Sequence, residues 1–424
     1  MKTKLNLAVA SALVAVASSA NAGITIPAGD WTLDIGGVVN AYYTHTNVDQ
    51  VQHTLGYGGL FFTQANTLGG GAGKEDVSNI TTGLLPNYLS VSGKTRQNDL
   101  DVGFTISLNP GASTVGAGKQ SSQQENRQAF LTFGDASWGS IKLGKDLGIF
   151  ASDAILNDMT LLGVGSGAGG LAGNTTTTGR IGTGFMYADW KSQIAYTSPN
   201  WSGFSFTAGV TQGWNAIAVS NKITATAGGS TLPTATSTQR GGSSPAFEAK
   251  ASYAWEGDFA GKVWVSGLHQ KVEFGAPINS EDATAYDIGA TVNVAGFGLT
   301  GYYYDGEGIG QTVQLNLGFD GTGKARDSKG GYIQATYTIP GVGTKIGASW
   351  GESILEGTSA DRAAAGFDEL KDEMWTIGVY HPLTKHLNLV AEYSNVKSEV
   401  SRTIATLDQE NEADTFSVGA ILFF

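Results

Sequence analysis

Five histidines, His45, His53, His269, His381 and His386, are the residues best suited to proton transfer or metal binding. None sits in an HExxH arrangement, and the chain has no cysteine to help hold zinc. His381 and His386 flank a short turn, where surface histidines are ordinary. Gly165 to Gly170 fits GxGxxG, but no βαβ unit surrounds it, so no dinucleotide site follows. Gly73-Lys74 and Gly118-Lys119 lack the rest of a phosphate loop. Serine is plentiful, yet no GxSxG element presents a nucleophile beside a base. What remains is fixed charge. Lys145 closes a strand-like run, and Asp153 and Asp158 follow in the loop after it. Lys94 and Arg96 share one parity with Ser90 and Ser92, and Lys191 and Lys250 take the polar parity of their own runs. Charges of this kind steer ions and do not make or break bonds, so no enzyme and no cofactor is expected. Lys262, near a turn, is expected to matter little.

The elements that would position these charges are strands. Leu100, Val102, Phe104 and Ile106 oppose Asp101, Gly103, Thr105 and Ser107. Tyr286, Ile288, Ala290 and Val292 oppose Asp287, Gly289 and Thr291 in the same way. Alternation with period two is what a sheet with unlike faces requires. Sixteen such spans can be drawn: 31–46, 86–96, 98–109, 125–135, 139–147, 188–198, 203–214, 246–256, 261–272, 284–295, 297–306, 330–339, 343–352, 373–381, 387–397 and 414–424. The spans at 125–135, 139–147 and 261–272 alternate poorly. Short connections such as Gln97-Asn98, Ala295-Gly296 and Pro382 to His386 trade places with long ones at 47–85, 149–187, 215–245 and 307–329. Aromatic residues recur at the ends of apolar faces: Trp31, Tyr253, Trp255, Tyr337, Trp350, Trp375 and Tyr393. Girdles at two membrane interfaces would have that pattern.

Composition narrows the class. Lys2 and Lys4, an apolar run from Leu5 to Ala17 and Ala20-Asn21-Ala22 read as a cleaved export signal, 1–22. That run is too short to span about 30 Å of hydrocarbon. Without its two lysines the chain carries 23 basic and 37 acidic residues, a net charge of −14. Nucleic-acid binding, which rests on basic charge, is excluded. Seven acids, Glu352, Glu356, Asp361, Asp368, Glu369, Asp372 and Glu373, read as a solvated acidic loop. An exported chain with no disulfide needs another way to hold itself together. A closed hydrogen-bonded sheet over 23–424 is one.

The order "NRQAFLTFGDASWGSIKLGKD", then a long loop, then "SQIAYTSPNWSGF" resembles the general trimeric porins of Gram-negative outer membranes. The resemblance implies an all-β, transmembrane antiparallel barrel with short periplasmic turns and long extracellular loops. It implies that loop 149–187 folds into the pore, with Lys145 on the pore wall facing Asp153 or Asp158 at the constriction. Lys94, Arg96 and Lys191 would line the lumen. The terminal Phe424, on a face with Phe416, Val418, Ala420 and Leu422, resembles the signal read by the barrel-assembly machinery; Ile421 and Phe423 depart from it by placing apolar groups on the lumen side. The implied function is passive diffusion of small hydrophilic solutes and ions, by a homotrimer embedded in outer-membrane lipid and lipopolysaccharide. A channel selective for sugars or organic acids is the alternative within transport, and a row of inward aromatics would favour it. Tyr42 and Tyr380 are candidates for that row. A structural or adhesive surface barrel is the alternative outside transport.

Overall fold

The computed structural model describes residues 23–50, 52–55, 75–114, 124–166, 176–216, 221–223, 230–232 and 234–424. The expected leader and the glycine-rich stretch 69–73 lie outside them. Sixteen strands form the wall: β1 Trp31–Gln50, β2 Tyr88–Gln97, β3 Leu100–Pro110, β4 Ala129–Asp135, β5 Gly139–Leu147, β6 Trp190–Thr197, β7 Phe204–Thr211, β8 Ala246–Trp255, β9 Phe259–Val272, β10 Glu281–Val294, β11 Phe297–Glu307, β12 Asp327–Thr338, β13 Lys345–Glu356, β14 Phe367–Pro382, β15 Leu387–Arg402 and β16 Gln409–Phe423. Each pairs antiparallel with the next, and β16 pairs with β1 from Val38↔Phe423 to Gln50↔Glu412. The sheet therefore closes on itself as a 16-strand barrel.

The expected strand order and the alternation of short and long connections are both present. Two-residue turns at 98–99 and 295–296 sit at one rim, and connections such as 148–189 and 308–326 at the other. The outer face is apolar. Val265, Ile288, Ile333 and Ile377 stand exposed between buried neighbours, as a lipid-facing wall requires. Several boundaries differ from expectation. β14 begins at Phe367, and β15 and β16 reach toward residue 405. In their upper thirds both faces carry polar residues, so alternation is lost there. Six of the seven acids read as one loop are correspondingly elsewhere. Glu352 and Glu356 lie on β13 and Asp368, Glu369, Asp372 and Glu373 on β14; only Asp361 sits in the connection, on the short helix Ser359–Ala365.

β1 has 20 residues and takes two partners on one edge, β2 at Thr32–Val38 and a strand at Glu75–Thr81 higher up. That second strand falls within the stretch expected to be loop. Between the two, segment 82–87 leaves the wall. Asn40 holds it: Gly83 N donates to Asn40 Oδ1 at 2.8 Å, Asn40 Nδ2 to Leu85 O at 2.9 Å, and Asn40 N to Asn87 Oδ1 at 2.6 Å. Leu84 and Leu85 then join a buried cluster with Val38, Val390, Ile421 and Phe423. This explains the apolar lumen-side residues near the C-terminus, because they pack against chain and not water.

At the long-loop rim the connections pack on one another. Leu55, Leu232, Leu317, Phe367 and Leu370 form an apolar cluster there. Arg326 donates from Nε to Asp361 Oδ2 at 2.7 Å and from Nη2 to Asp361 Oδ1 at 2.8 Å, with both residues buried. His53 lies beneath, its Nε2 2.9 Å from Ser398 O, and Asn411 Nδ2 donates to His53 O. Burial pushes the imidazole down to about 4, with the Ser398 carbonyl opposing. An unfolded histidine titrates near 6.5, so this segment's stability is full above that pH and is lost as pH falls toward 4. The difference is worth about 3 kcal/mol at most. The protection of amides at residues 52–55, measured against their intrinsic exchange rate at each pH, should fall between pH 6.5 and 4, and His53→Gln should abolish that fall.

Candidate functional site

The segment after β5 is gripped by wall side chains on the face opposite the lipid. Glu248 lies on β8 between the exposed Phe247 and its outward neighbours, and is itself buried. Its Oε2 accepts from Ile149 N and Phe150 N, both at 2.8 Å. Its Oε1 accepts from Lys191 Nζ at 2.6 Å and Thr211 Oγ1 at 2.8 Å. Across the barrel, Glu392 on β15 repeats the arrangement. Its Oε2 accepts from Val164 N at 2.7 Å and Gly165 N at 2.8 Å, and its Oε1 from Tyr380 Oη at 2.6 Å. Gln334 on β12 takes the middle, accepting from Met159 N at 2.8 Å and donating to Asn157 O at 2.7 Å. Tyr332 donates to Ala154 O and Tyr42 to Leu162 O. Residues 149–165 thus run along the inner face from β8 to β15, held by their backbone. Gly163 is required where it passes Glu392, since a Cβ there would come within 2.1 Å of the carboxylate.

Between these anchors the segment forms a short helix, α1, Ser152–Asn157, followed by a single 3-10 turn at Met159–Leu162. α1 points Asp153 at two wall lysines. Lys250 Nζ lies 3.1 Å from Asp153 Oδ2 and 2.9 Å from Ser152 Oγ, and Lys262 Nζ contacts Asp153 Oδ1. Burial disfavours the Asp153 charge, but the two ammonium groups outweigh it and hold the carboxyl below its ordinary value. An acid on the loop facing bases on the wall was expected; the bases are Lys250 and Lys262 and not Lys145. Lys262, expected to matter little, is one of the two partners.

Asp158 has a different place. It caps the 3-10 turn, accepting from Thr160 N at 3.0 Å and from Thr160 Oγ1, with Arg180 Nε 3.9 Å away. Burial pushes its carboxyl up, and Arg180 opposes only in part. No wall lysine reaches it among the described residues. Arg180 donates to Met374 O at 2.9 Å and to Ser349 Oγ, tying the far part of the loop to β13 and β14.

Lys145 stands opposite Ser192 on β6, an exposed residue. It shares strand parity with Leu143, whose partners Leu131 and Ile194 are 47% and 59% exposed. That is the outward parity, and the ammonium reaches Asn126 O at 2.8 Å at the rim. The irregular backbone at Gly144, with φ of +130°, helps explain why alternation could not be read here. Lys191 faces inward as expected but is fully buried, bonded to Glu248 and, at 2.5 Å, to Gln314 Oε1. Lys94 and Arg96 do sit on the inner face, near the short-turn rim. Lys94 pairs with Asp34 at 3.3 Å, and Arg96 with Asp101 at 2.9 Å and Asp135 at 2.8 Å. Phe424 donates to Gly37 O at 3.1 Å and accepts from Gly37 N at 2.8 Å, completing the seam.

Sequence reasoning missed Glu248, Gln334 and Glu392. A signal existed for two of them, since Glu248 and Glu392 are acids on the polar parity of otherwise uncharged or weakly charged strands. Tyr42 and Tyr380 do point inward, as do Trp264, Tyr302, Tyr304 and Tyr332, all buried. Removing one anchor should be costly. Glu248→Ala leaves two amides without an acceptor and the Lys191 ammonium without its carboxylate, with only Gln314 still bonded to it, and breaking a buried pair costs about 3–5 kcal/mol. Amide exchange at Ile149 and Phe150 should rise by two orders of magnitude or more, while β10–β14 stay protected.

The model of the Gram-negative porin family matches residues 8–401. No curated protein matches the sequence. Among solved structures, the outer membrane channel DcaP of Acinetobacter baumannii aligns with a TM-score of 0.64 at 14% identity, over 95% of this chain and 100% of that one. The anion-selective porin from Comamonas acidovorans aligns at 0.57 and 14%, over 93% and 100%. The trimer form of OmpT from Vibrio cholerae aligns at 0.50 and 12%, over 93% and 99%. At these identities the likeness is one of fold.

Proposed function

The chain belongs to the Gram-negative porins, and from that premise we propose that segment 149–189 narrows its pore and that Asp153, Lys250 and Lys262 form the charged constriction. The protein is an outer-membrane channel for passive diffusion. The observation that carries the reading is the meeting of one loop carboxylate with ammonium groups from β8 and β9 at the inner wall. Asp153 touches both lysines and offsets one of their two charges, which leaves a net positive patch on the inner wall that a passing ion feels at short range. At 4 Å one unit charge is worth about 1 kcal/mol in bulk water and about 4 kcal/mol at an effective dielectric of 20. Even the lower figure biases anion against cation entry severalfold. Lys94 and Arg96 add basic groups at the short-turn mouth. Lys94 is 70% exposed in its side chain and paired with a partly exposed acid, so its contribution is screened.

Reversal potentials in a salt gradient test the assignment. Lys250→Gln and Lys262→Gln should each move the potential toward cation preference, and Asp153→Asn toward anions. Lys385→Glu, in the exposed turn after β14, should shift it far less. The effects should shrink as salt rises. Equal shifts from Lys262→Gln and Lys385→Glu would mean that the narrow passage is elsewhere.

A homotrimer is the proposed assembly. Strands β4 to β7 have only 7 to 9 residues, against 10 to 16 for β8 to β16. A strand needs about 9–11 tilted residues to cross the hydrocarbon, so the low side of the wall is better suited to contact with another protein than with lipid. Leu131, Ile194 and Val210 make that side apolar. A solved relative in fold, OmpT of Vibrio cholerae, is described as a trimer form. A mild-detergent extract should sediment near three times the mature mass and dissociate on boiling. Leu131→Arg with Ile194→Arg should give a folded monomer; a species of unchanged mass would remove this face from the interface.

The inward tyrosines keep a solute-selective channel in view, though four have structural work. Tyr42 and Tyr332 hold the loop, Tyr302 donates to Asp287 Oδ2 at 3.1 Å, and Tyr380 to Glu392. Selectivity for an organic solute would therefore need a different surface.

A further inference from the structure

A cavity of about 500 Å³ lies beside the loop, where the tops of β4, β5 and β6 meet the loop's outer flank. A channel for hydrophilic solutes has no need of its lining. Leu84, Leu147, Leu156 and Leu161 supply apolar walls, and Trp190 and Trp214 supply flat ones. The Trp214 indole N–H is buried with no acceptor among the described residues. The size falls in the range of about 300–1,000 Å³ typical of small-molecule sites.

Its charged groups are unequal. Arg127 donates to Glu125 Oε2 at 2.7 Å and stacks over Trp190, 5.7 Å from the ring centre, so these two charges offset each other. Asp189 accepts from Trp190 N at 2.7 Å; burial pushes its carboxyl up, and Lys191, Arg127 and Lys145 oppose that. Lys145 uses one of its three donors on Asn126 O and has no carboxylate in salt-bridge reach among the described residues. The cavity thus joins an apolar and aromatic body to a polar end at which Lys145 keeps donors to spare.

We propose that this cavity is a docking subsite for small monocarboxylates with an apolar or aromatic body, the carboxylate at Lys145 and the body between the leucines and the indoles. It deepens the diffusion-channel reading, on which it rests. The subsite would raise the local concentration of such solutes beside the passage without any gate or energy source. Lys145 acts here as an anchor for solute and not as a member of the constriction.

Phenylacetate is a suitable probe, with phenylacetamide as its neutral counterpart and acetate as its bodiless one. Titration calorimetry on the detergent-solubilised barrel reads binding without depending on conductance. Phenylacetate should bind at millimolar affinity or better, at least tenfold more tightly than either control. Lys145→Gln should lose at least fivefold for phenylacetate and little for the amide. Leu156→Trp, which fills the cavity, should abolish binding of both aromatic probes. Equal binding of acid and amide, or binding that survives Leu156→Trp, would overturn the subsite. Binding as expected with no ohmic current in planar bilayers would instead overturn the channel reading and leave the cavity standing.

Discussion

An unpaired backbone amide in hydrocarbon has no water to turn to, and leaving it bare costs several kcal/mol. Everything about the wall follows from that. The ladder cannot have an edge, so β16 must find β1, and it does so over more than ten residues. Phe424 extends the pairing to the last residue by exchanging two hydrogen bonds with Gly37. The hairpin Ile24–Ala28 then covers the part of β1 that β16 does not reach. With closure secured by the backbone, side chains are left to set the two faces, and no disulfide is needed.

The interior obeys the same rule by other means. A chain segment crossing a barrel carries its own amides into a space with few partners. Here the wall supplies them through Glu248, Gln334, Glu392 and Asn40, each taking two or three backbone bonds. Bonds to a charged acceptor are worth more than neutral ones, about 1.5–3 kcal/mol each. The buried carboxylates are also stabilised by Lys191, Thr211 and Tyr380. A loop held this way presents Asp153 to Lys250 and Lys262 with little freedom.

The barrel was legible because lipid on one side and polar side chains on the other impose period two. Where that contrast fails, reading fails with it. In β9 the inward residues Trp264, Leu268 and Val272 are apolar because they pack on interior chain, so the alternation near 261–272 disappears. In β5 the glycine at 144, with φ of +130°, disturbs the backbone and alternation is lost there. A long connection between amphipathic strands is a local feature and can be read as one. Which lysines meet Asp153 could not be, because β8 and β9 lie about a hundred residues away in sequence and only the closed ring brings them opposite α1. The wall glutamates were passed over for a similar reason: an isolated acid on a strand has no visible partner until the loop is seen lying against it.

The grip on the loop falls on amides that every residue but proline possesses. Glu248 and Glu392 do not discriminate among the side chains at 149–150 or 164–165, apart from the space that Gly163 must leave. Substitutions within α1 thus leave those bonds as they are, since the mounting and what it carries are encoded in different parts of the chain.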